Sequence, residues 1–172
     1  MKIDQFDAVW WPSGQSGRGR LFPYENTFYI YLRMSPSLAV RPALVFCKSG
    51  DLEWEDQDMG YITSFNKAFF AKGIWRNFEA IDLFKAGNPI NIELDEEDVL
   101  TLAPIFDKIC GSLDSTYLYK FDLVRTYLFQ IIHIAIKIHL QRMNIVRSPI
   151  RYVCLTTCGI DMFIRIKLSH KK

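Results

Sequence analysis

The chain has 172 residues, 49% hydrophobic and 15% aromatic, with a formal net charge of +2. That apolar content excludes a disordered chain, and so small a charge gives no electrostatic case for nucleic acid or an anionic membrane surface. The N-terminus carries Asp4 and Asp7 and no apolar run, so no export signal is read there, and Cys47, Cys110, Cys154 and Cys158 are expected as reduced thiols in a cytoplasmic protein.

Residues 1–65 read as β-rich. Phe6–Trp11 is a short aromatic strand, and the Gly- and Pro-containing stretch 12–20 is a loop. Thr27–Met34 alternates Phe28, Ile30, Leu32 and Met34 against Tyr29, Tyr31 and Arg33, the two-residue period of a strand. Ala43–Cys47 is a continuous apolar run, which predicts a strand buried on both faces. An acidic turn and a strand over Gly60–Phe65 follow. Short strands at close spacing predict a sandwich or small barrel.

After Phe65 the period becomes helical. Two short helices are expected across 66–87, the second capped by Asn77 and ended by Gly87. Asn91–Leu94 is a brief strand. Asp95-Glu96-Glu97-Asp98 then opens a helix with its acids in the first turn, where the macrodipole favours them. Val99, Leu102, Phe106, Ile109 and Leu113 form its apolar face, and Pro104 is expected to kink or interrupt it.

Tyr117–Met143 lacks both Gly and Pro and reads as one long helix. At about 100° per residue, Asp122, Thr126, Gln130, His133, Lys137 and Gln141 share one polar stripe. The apolar remainder sweeps roughly 220°, where a surface helix needs only about 100°. One flank holds Leu123, Tyr127, Ile134 and Ile138; the other holds Leu118, Phe129, Ile132 and Ile136; Val124, Leu128 and Ala135 lie between. Two arrangements fit: one flank in the core and the other at a subunit interface, or both buried in one subunit. The first makes Leu123, Tyr127, Ile134 and Ile138 interface candidates. Asp122, Arg125 and Lys137 interrupt the run of ~20 uncharged residues that a membrane span needs, so no span is expected. Beyond the helix, residues 144–172 alternate like strands and have no evident place in a helical half.

Reactive constellations are sparse. His133 and His139 are separated by about 120° around the helix and do not share a metal-binding face. Cys154 and Cys158 lack a second ligand pair. The glycines of 14–20 match no phosphate loop, and Asp51, Glu53, Glu55, Asp56 and Asp58 miss the EF-hand spacing. Neither a catalytic set nor a metal or cofactor site is read, and the chain is not expected to be an enzyme. Aromatics crowd the β-rich half, and Trp10, Tyr29, Tyr31, Phe46 and Tyr61 are candidates for an apolar pocket with polar tips; filling a core is the simpler role for them.

Gly60-Tyr61-Ile62-Thr63-Ser64-Phe65, with Asn66 to Phe70 after it, resembles the strand that leaves the β-barrel in AraC-type transcription regulators. Leu83-Phe84, Pro89-Ile90, Ile92 to Asp95, and the acidic helix with Leu102-Ala103-Pro104-Ile105-Phe106 continue the likeness, which runs to Met143. The resemblance implies an α+β chain: a cupin-like small β-barrel or sandwich over 1–65, a helical part over 66–143 ending in the dimerisation helix, and an atypical tail over 144–172. It implies a homodimer with a small-molecule effector. Residues 1–59 match the family only roughly, and the metal-ligating histidines of enzymatic cupins are absent. Only 29 residues follow Met143, too few for the family's paired helix-turn-helix units, so a truncated regulator that does not itself bind DNA is expected. A cupin-like small-molecule-binding protein or enzyme, or a ligand-free interaction module, are the other readings.

Overall fold

The computed structural model describes residues 6–11, 27–34, 41–48, 58–70, 74, 84 and 89–142. They form an α+β unit: an antiparallel sheet with two helices, the second long. The strands are β1 (Phe6–Trp11), β2 (Thr27–Met34), β3 (Ala43–Lys48), β4 (Met59–Asn66) and β5 (Ile90–Glu93), in the order β1-β4-β2-β3-β5. Among the described residues the sheet is open, with β1 and β5 at its edges. A 3-10 turn (Lys67–Phe69) follows β4, and the helices are α1 (Glu96–Leu113) and α2 (Lys120–Arg142).

Side-chain alternation sorts the sheet into two chemistries. One face carries Phe6, Phe28, Ile30, Leu32, Leu44, Phe46, Tyr61, Phe65 and Ile92, and both helices pack on it to make the main core. Thr63 is wholly buried there, and its hydroxyl donates to the Ile30 carbonyl at 2.9 Å, which satisfies it. The other face carries a separate cluster of Tyr29, Tyr31, Ala43, Val45, Cys47 and Ile62, with Trp11 against it. Every residue from Ala43 to Cys47 is buried, as the continuous apolar run of β3 predicts.

Gly60 is required where β4 passes β2. Its φ is +146°, and a Cβ there would lie 1.9 Å from the Leu32 carbonyl oxygen. An L side chain meets both a forbidden angle and a backbone clash.

Helix α1 begins in a capping box: Asp95 accepts from the Asp98 amide at 2.8 Å, and the Asp98 carboxylate accepts from the Asp95 amide at 3.3 Å. Leu102, Ile105, Phe106 and Ile109 face the core. Of the two outcomes expected at Pro104, a kink or an interruption, the interruption does not occur: α1 runs through it to Leu113. The bond lost is to the carbonyl of Leu100, whose side chain is 75% exposed, so the gap falls on the solvent side, where water can fill it. Gly111 and Ser112 are still helical.

Helix α2 is pinned at both ends. Near its start, Arg125 Nε donates to the Phe69 carbonyl at 2.6 Å while the guanidinium carbon sits 4.6 Å from the centre of the Phe69 ring. Phe69 also meets Phe6 of β1 and Phe121 of α2, and Phe70 meets Phe65 of β4 and Phe129 of α2. At the far end, Arg142 donates to the Glu93 carbonyl and to Asp98 at the start of α1. Arg125→Ala removes a charge-assisted bond and a cation–π contact and is expected to cost about 2 kcal/mol in urea unfolding; Arg142→Ala, at a more exposed pair, is expected to cost about 0.5–1 kcal/mol. Gly60→Ala is expected to cost about 3 kcal/mol or to prevent folding, read by the same titration.

Candidate functional site

The sheet divides the five aromatic pocket candidates. Trp10, Phe46 and Tyr61 alternate onto the helix-bearing face, and Tyr29 and Tyr31 onto the opposite one. They therefore do not line a single cavity. Phe46 is wholly buried and meets Phe84 at 5.5 Å between ring centres, a core contact.

Trp10 and Tyr61 meet at the β1 edge. Their rings lie 4.6 Å apart edge to face, and Tyr61 also stacks on Phe106 of α1 at 5.5 Å. Trp10 is 40% exposed, so this corner reaches solvent. The Tyr61 hydroxyl donates to the Asp107 carboxylate. Burial first, then that hydrogen bond and the charge of Asp107, push the Tyr61 hydroxyl well above the usual phenol range. Cys110, one turn along α1, is half-buried, and its thiol is pushed up by burial and then by Asp107, Asp114 and Asp7. Both groups therefore hold their protons at neutral pH. This corner offers a neutral hydroxyl and a neutral thiol rather than a thiolate nucleophile.

The second face is chemically different. Tyr29, Tyr31, Arg33, Cys47 and Ser64 share this face with Val45 and Ile62. Burial, then the neighbouring Cys47, raises the Tyr29 hydroxyl. Arg33 did not stand out in the sequence, where it was simply the last polar member of the β2 alternation; its two small cross-strand neighbours, Ala43 and Gly60, become visible only with the register.

On α2, burial is centred on the middle of the apolar arc and takes one residue from each flank. Val124, Leu128, Ile131, Ile132, Ala135 and Ile138 are buried. Of the interface candidates, Ile138 is therefore taken up by the core, while Leu123, Tyr127 and Ile134 are half-buried. On the other flank Ile132 is buried, Phe129 and Ile136 are half-buried, and Leu118 lies 82% exposed just before the helix. All six residues of the polar stripe are exposed. Arg125, an intruder in the apolar arc, is explained by its bond to Phe69. His139 is exposed near the C-terminal end of α2. The helix is long and apolar enough to cross a membrane by length and composition, but here it packs on the sheet as a core helix.

Among the described residues, no group of three or more His, Cys, Asp or Glu side chains could hold a metal ion. Neither Cys47 nor Cys110 is in a disulfide. The Cys154/Cys158 pair, the 14–20 loop, the acids from Asp51 to Asp56, the Asn77-capped helix and the 144–172 tail lie outside the described residues. Asp58, the last acid of that run, is buried just before β4. No protein-family model matches this chain, and no curated protein matches it either.

Tyr61 and Tyr29 both keep their protons to higher pH when folded than an unfolded tyrosine, which ionises near pH 10. Their stabilising contribution is complete below about pH 10 and is lost as pH rises above it toward the folded values. Urea midpoints are therefore expected to fall steeply above about pH 10, and Tyr61→Phe to make that fall shallower, leaving the part due to Tyr29.

Proposed function

We propose that this chain is the effector-sensing and dimerisation part of an AraC-type transcription regulator, acting in the cytoplasm as a homodimer with no direct DNA contact of its own. The observation that carries the reading is a row of apolar side chains on one edge of α2. The Leu123 amide donates to the Tyr119 carbonyl, so the helical path already holds at Tyr119. Tyr119, Leu123, Tyr127 and Ile134 then follow one another at i+4, i+4 and i+7 spacing along one side. Tyr119 is 58% exposed, and the other three are half-buried beside the exposed polar stripe. Tyr117 and Leu118, at 55% and 82% exposure, extend the apolar surface at the same end.

Such a row beside a polar stripe suits the seam of two antiparallel or crossed helices, with the core already served by the middle of the arc. The order of elements supports the same reading: strands, a short helical turn after β4, a brief strand, an acid-capped helix containing Pro104, then the long helix. A sheet buried on both faces is consistent with a cupin-like barrel whose second face lines an interior. On this reading the effector is held at that second face, and the row on α2 carries the subunit contact.

Sedimentation of the purified chain is expected to show a dimer at micromolar concentration. Tyr119→Glu combined with Leu123→Glu is expected to give a folded monomer, because neither side chain is buried in the core. A wild-type chain that stays monomeric at high micromolar concentration ends the reading, as does a double variant that remains a dimer.

A further inference from the structure

At the β5 edge of the sheet, the register fixes which backbone groups are spare. Leu94 donates to the Pro42 carbonyl at 2.8 Å, with Ile92 opposite Leu44 and Ile90 opposite Phe46. Antiparallel alternation therefore turns the amides and carbonyls of Ile90 and Ile92 toward β3, and those of Asn91 and Glu93 away from it. Among the described residues no strand pairs with that outer side. The Glu93 carbonyl is met there by Arg142, the last residue of α2. The Asn91 amide and carbonyl and the Glu93 amide are left over. A sheet edge with spare donors and acceptors is a template for a further strand.

Arg142 also fixes where the chain goes next. Its side chain ties the end of α2 to the outer edge of β5, at the Glu93 end. The β1 edge lies four strands away, about 19 Å at about 4.8 Å per strand. The sequence that follows suits a strand. Residues 151–157 read RYVCLTT, with aromatic and β-branched residues and neither Gly nor Pro. Ser148-Pro149, just before them, is a turn-initiating pair. The eight residues 143–150 reach up to about 26 Å when extended, ample for a reversal at that edge.

Charge favours the same place. Residues 144–172 carry six Lys and Arg against Asp161 alone, whereas residues 1–143 carry 15 against 18 acids. Glu93, Asp95, Glu96, Glu97 and Asp98 lie at the end of β5 and the start of α1. Among the described residues only Glu93 and Asp98 of these have ion pairs, to Arg41 and Arg142. Arg147 and Arg151 bring opposite charge to the rest.

We propose that residues 151–157 of this same chain dock along the free edge of β5 as a further strand, antiparallel to it. The direction follows from the entry point, since a strand that begins at the Glu93 end runs opposite to Ile90–Glu93. The docked strand supplies acceptors for the Asn91 and Glu93 amides and a donor for the Asn91 carbonyl. Its alternation separates Val153 and Leu155 from Tyr152, Cys154 and Thr156, and the first pair continues the row of Ile90 and Ile92 over the helix-bearing core. The inference is independent of the sensing and dimerisation reading.

The test is amide hydrogen exchange of the full chain, read residue by residue by NMR at two protein concentrations. In the wild type the Asn91 and Glu93 amides are expected to exchange at least about a hundredfold slower than in an unstructured peptide, at both concentrations. Val153→Pro combined with Leu155→Pro removes two strand amides and is expected to bring Asn91 and Glu93 to within about tenfold of the unstructured rate. The Ile92 and Leu94 amides, which face β3, are expected to stay protected. Arg147→Glu combined with Arg151→Glu is expected to speed Asn91 and Glu93 about tenfold, with the difference shrinking in high salt. Rapid exchange of Asn91 and Glu93 in the wild type would overturn the proposal. So would protection that survives the proline pair, because another segment would then cover the edge. Protection that falls on dilution would also overturn it, making a second copy the occupant. If the proline pair exposes Ile92 and Leu94 as well, the arginine pair decides: unchanged exchange at Asn91 and Glu93 rejects the docking.

Discussion

Arg125 is held by Phe69 in two ways at once, through the carbonyl and through the ring. That one residue joins the long helix to the point where the chain leaves the sheet. Without it, the start of α2 would rest on the sheet by apolar contact alone, which is strong but does not fix rotation about the helix axis. The bond sets the rotation, and the rotation decides which residues of the arc are buried. Val124, Leu128, Ile131 and Ala135 then point into the core, and Leu123, Tyr127 and Ile134 are turned to the rim. Phe121 and Phe129, one on each side of Arg125 along the chain, meet Phe69 and Phe70 and make the same registration from apolar groups.

The sheet is a partition as much as a scaffold. Its helix-bearing side is filled by Phe, Ile and Leu, and the polar groups it buries are satisfied, as with Thr63 and Tyr61. Its other side keeps Tyr29, Tyr31, Arg33, Ser64 and Asn66 among smaller apolar residues. A face that only had to be hidden would be better filled by aliphatic groups, which need no partners. Two buried polar atoms without partners on this side mark it as the chemically unfinished surface of the described fold. That face lies on the opposite side of the sheet from α2.

Much of the fold was legible in the sequence because the strands obey period two. Thr27–Met34 and Phe6–Trp11 are strands over the expected residues, β3 is one residue longer at its end, β4 is one residue longer at each end, and β5 is shifted by one residue toward the N-terminus. The capping acids of α1 and the six-residue polar stripe of α2 were equally readable, since both depend on local spacing. What escaped was set by tertiary placement. Pro104 breaks one helical bond, but whether that ends a helix depends on which side the gap faces. Which part of α2's apolar arc is buried depends on placement in the same way: an arc of roughly 220° has a centre as well as two sides, and only Arg125 and the sheet reveal that burial is centred on the middle. The pocket candidates were chosen by residue type, but membership of one face follows parity within each strand and register between strands. Ring contacts such as Trp10 with Tyr61 needed both.

The pairing of β1 with β4 has a kinetic side. Phe6 lies opposite Phe65 and Trp11 opposite Gly60, so of the described strands β1 waits longest for its partner. β2 and β3 are neighbours both along the chain and in the sheet, and closing a short loop is entropically cheap. They are the natural nucleus, with β4 docking on β2 and β1 adding last, at the edge, across the largest loop. During synthesis the aromatic run FDAVWW therefore leaves the ribosome with nothing to join until β4 has followed. Among the described strands, the slow step of assembly and the interval of greatest exposure to aggregation then belong to β1.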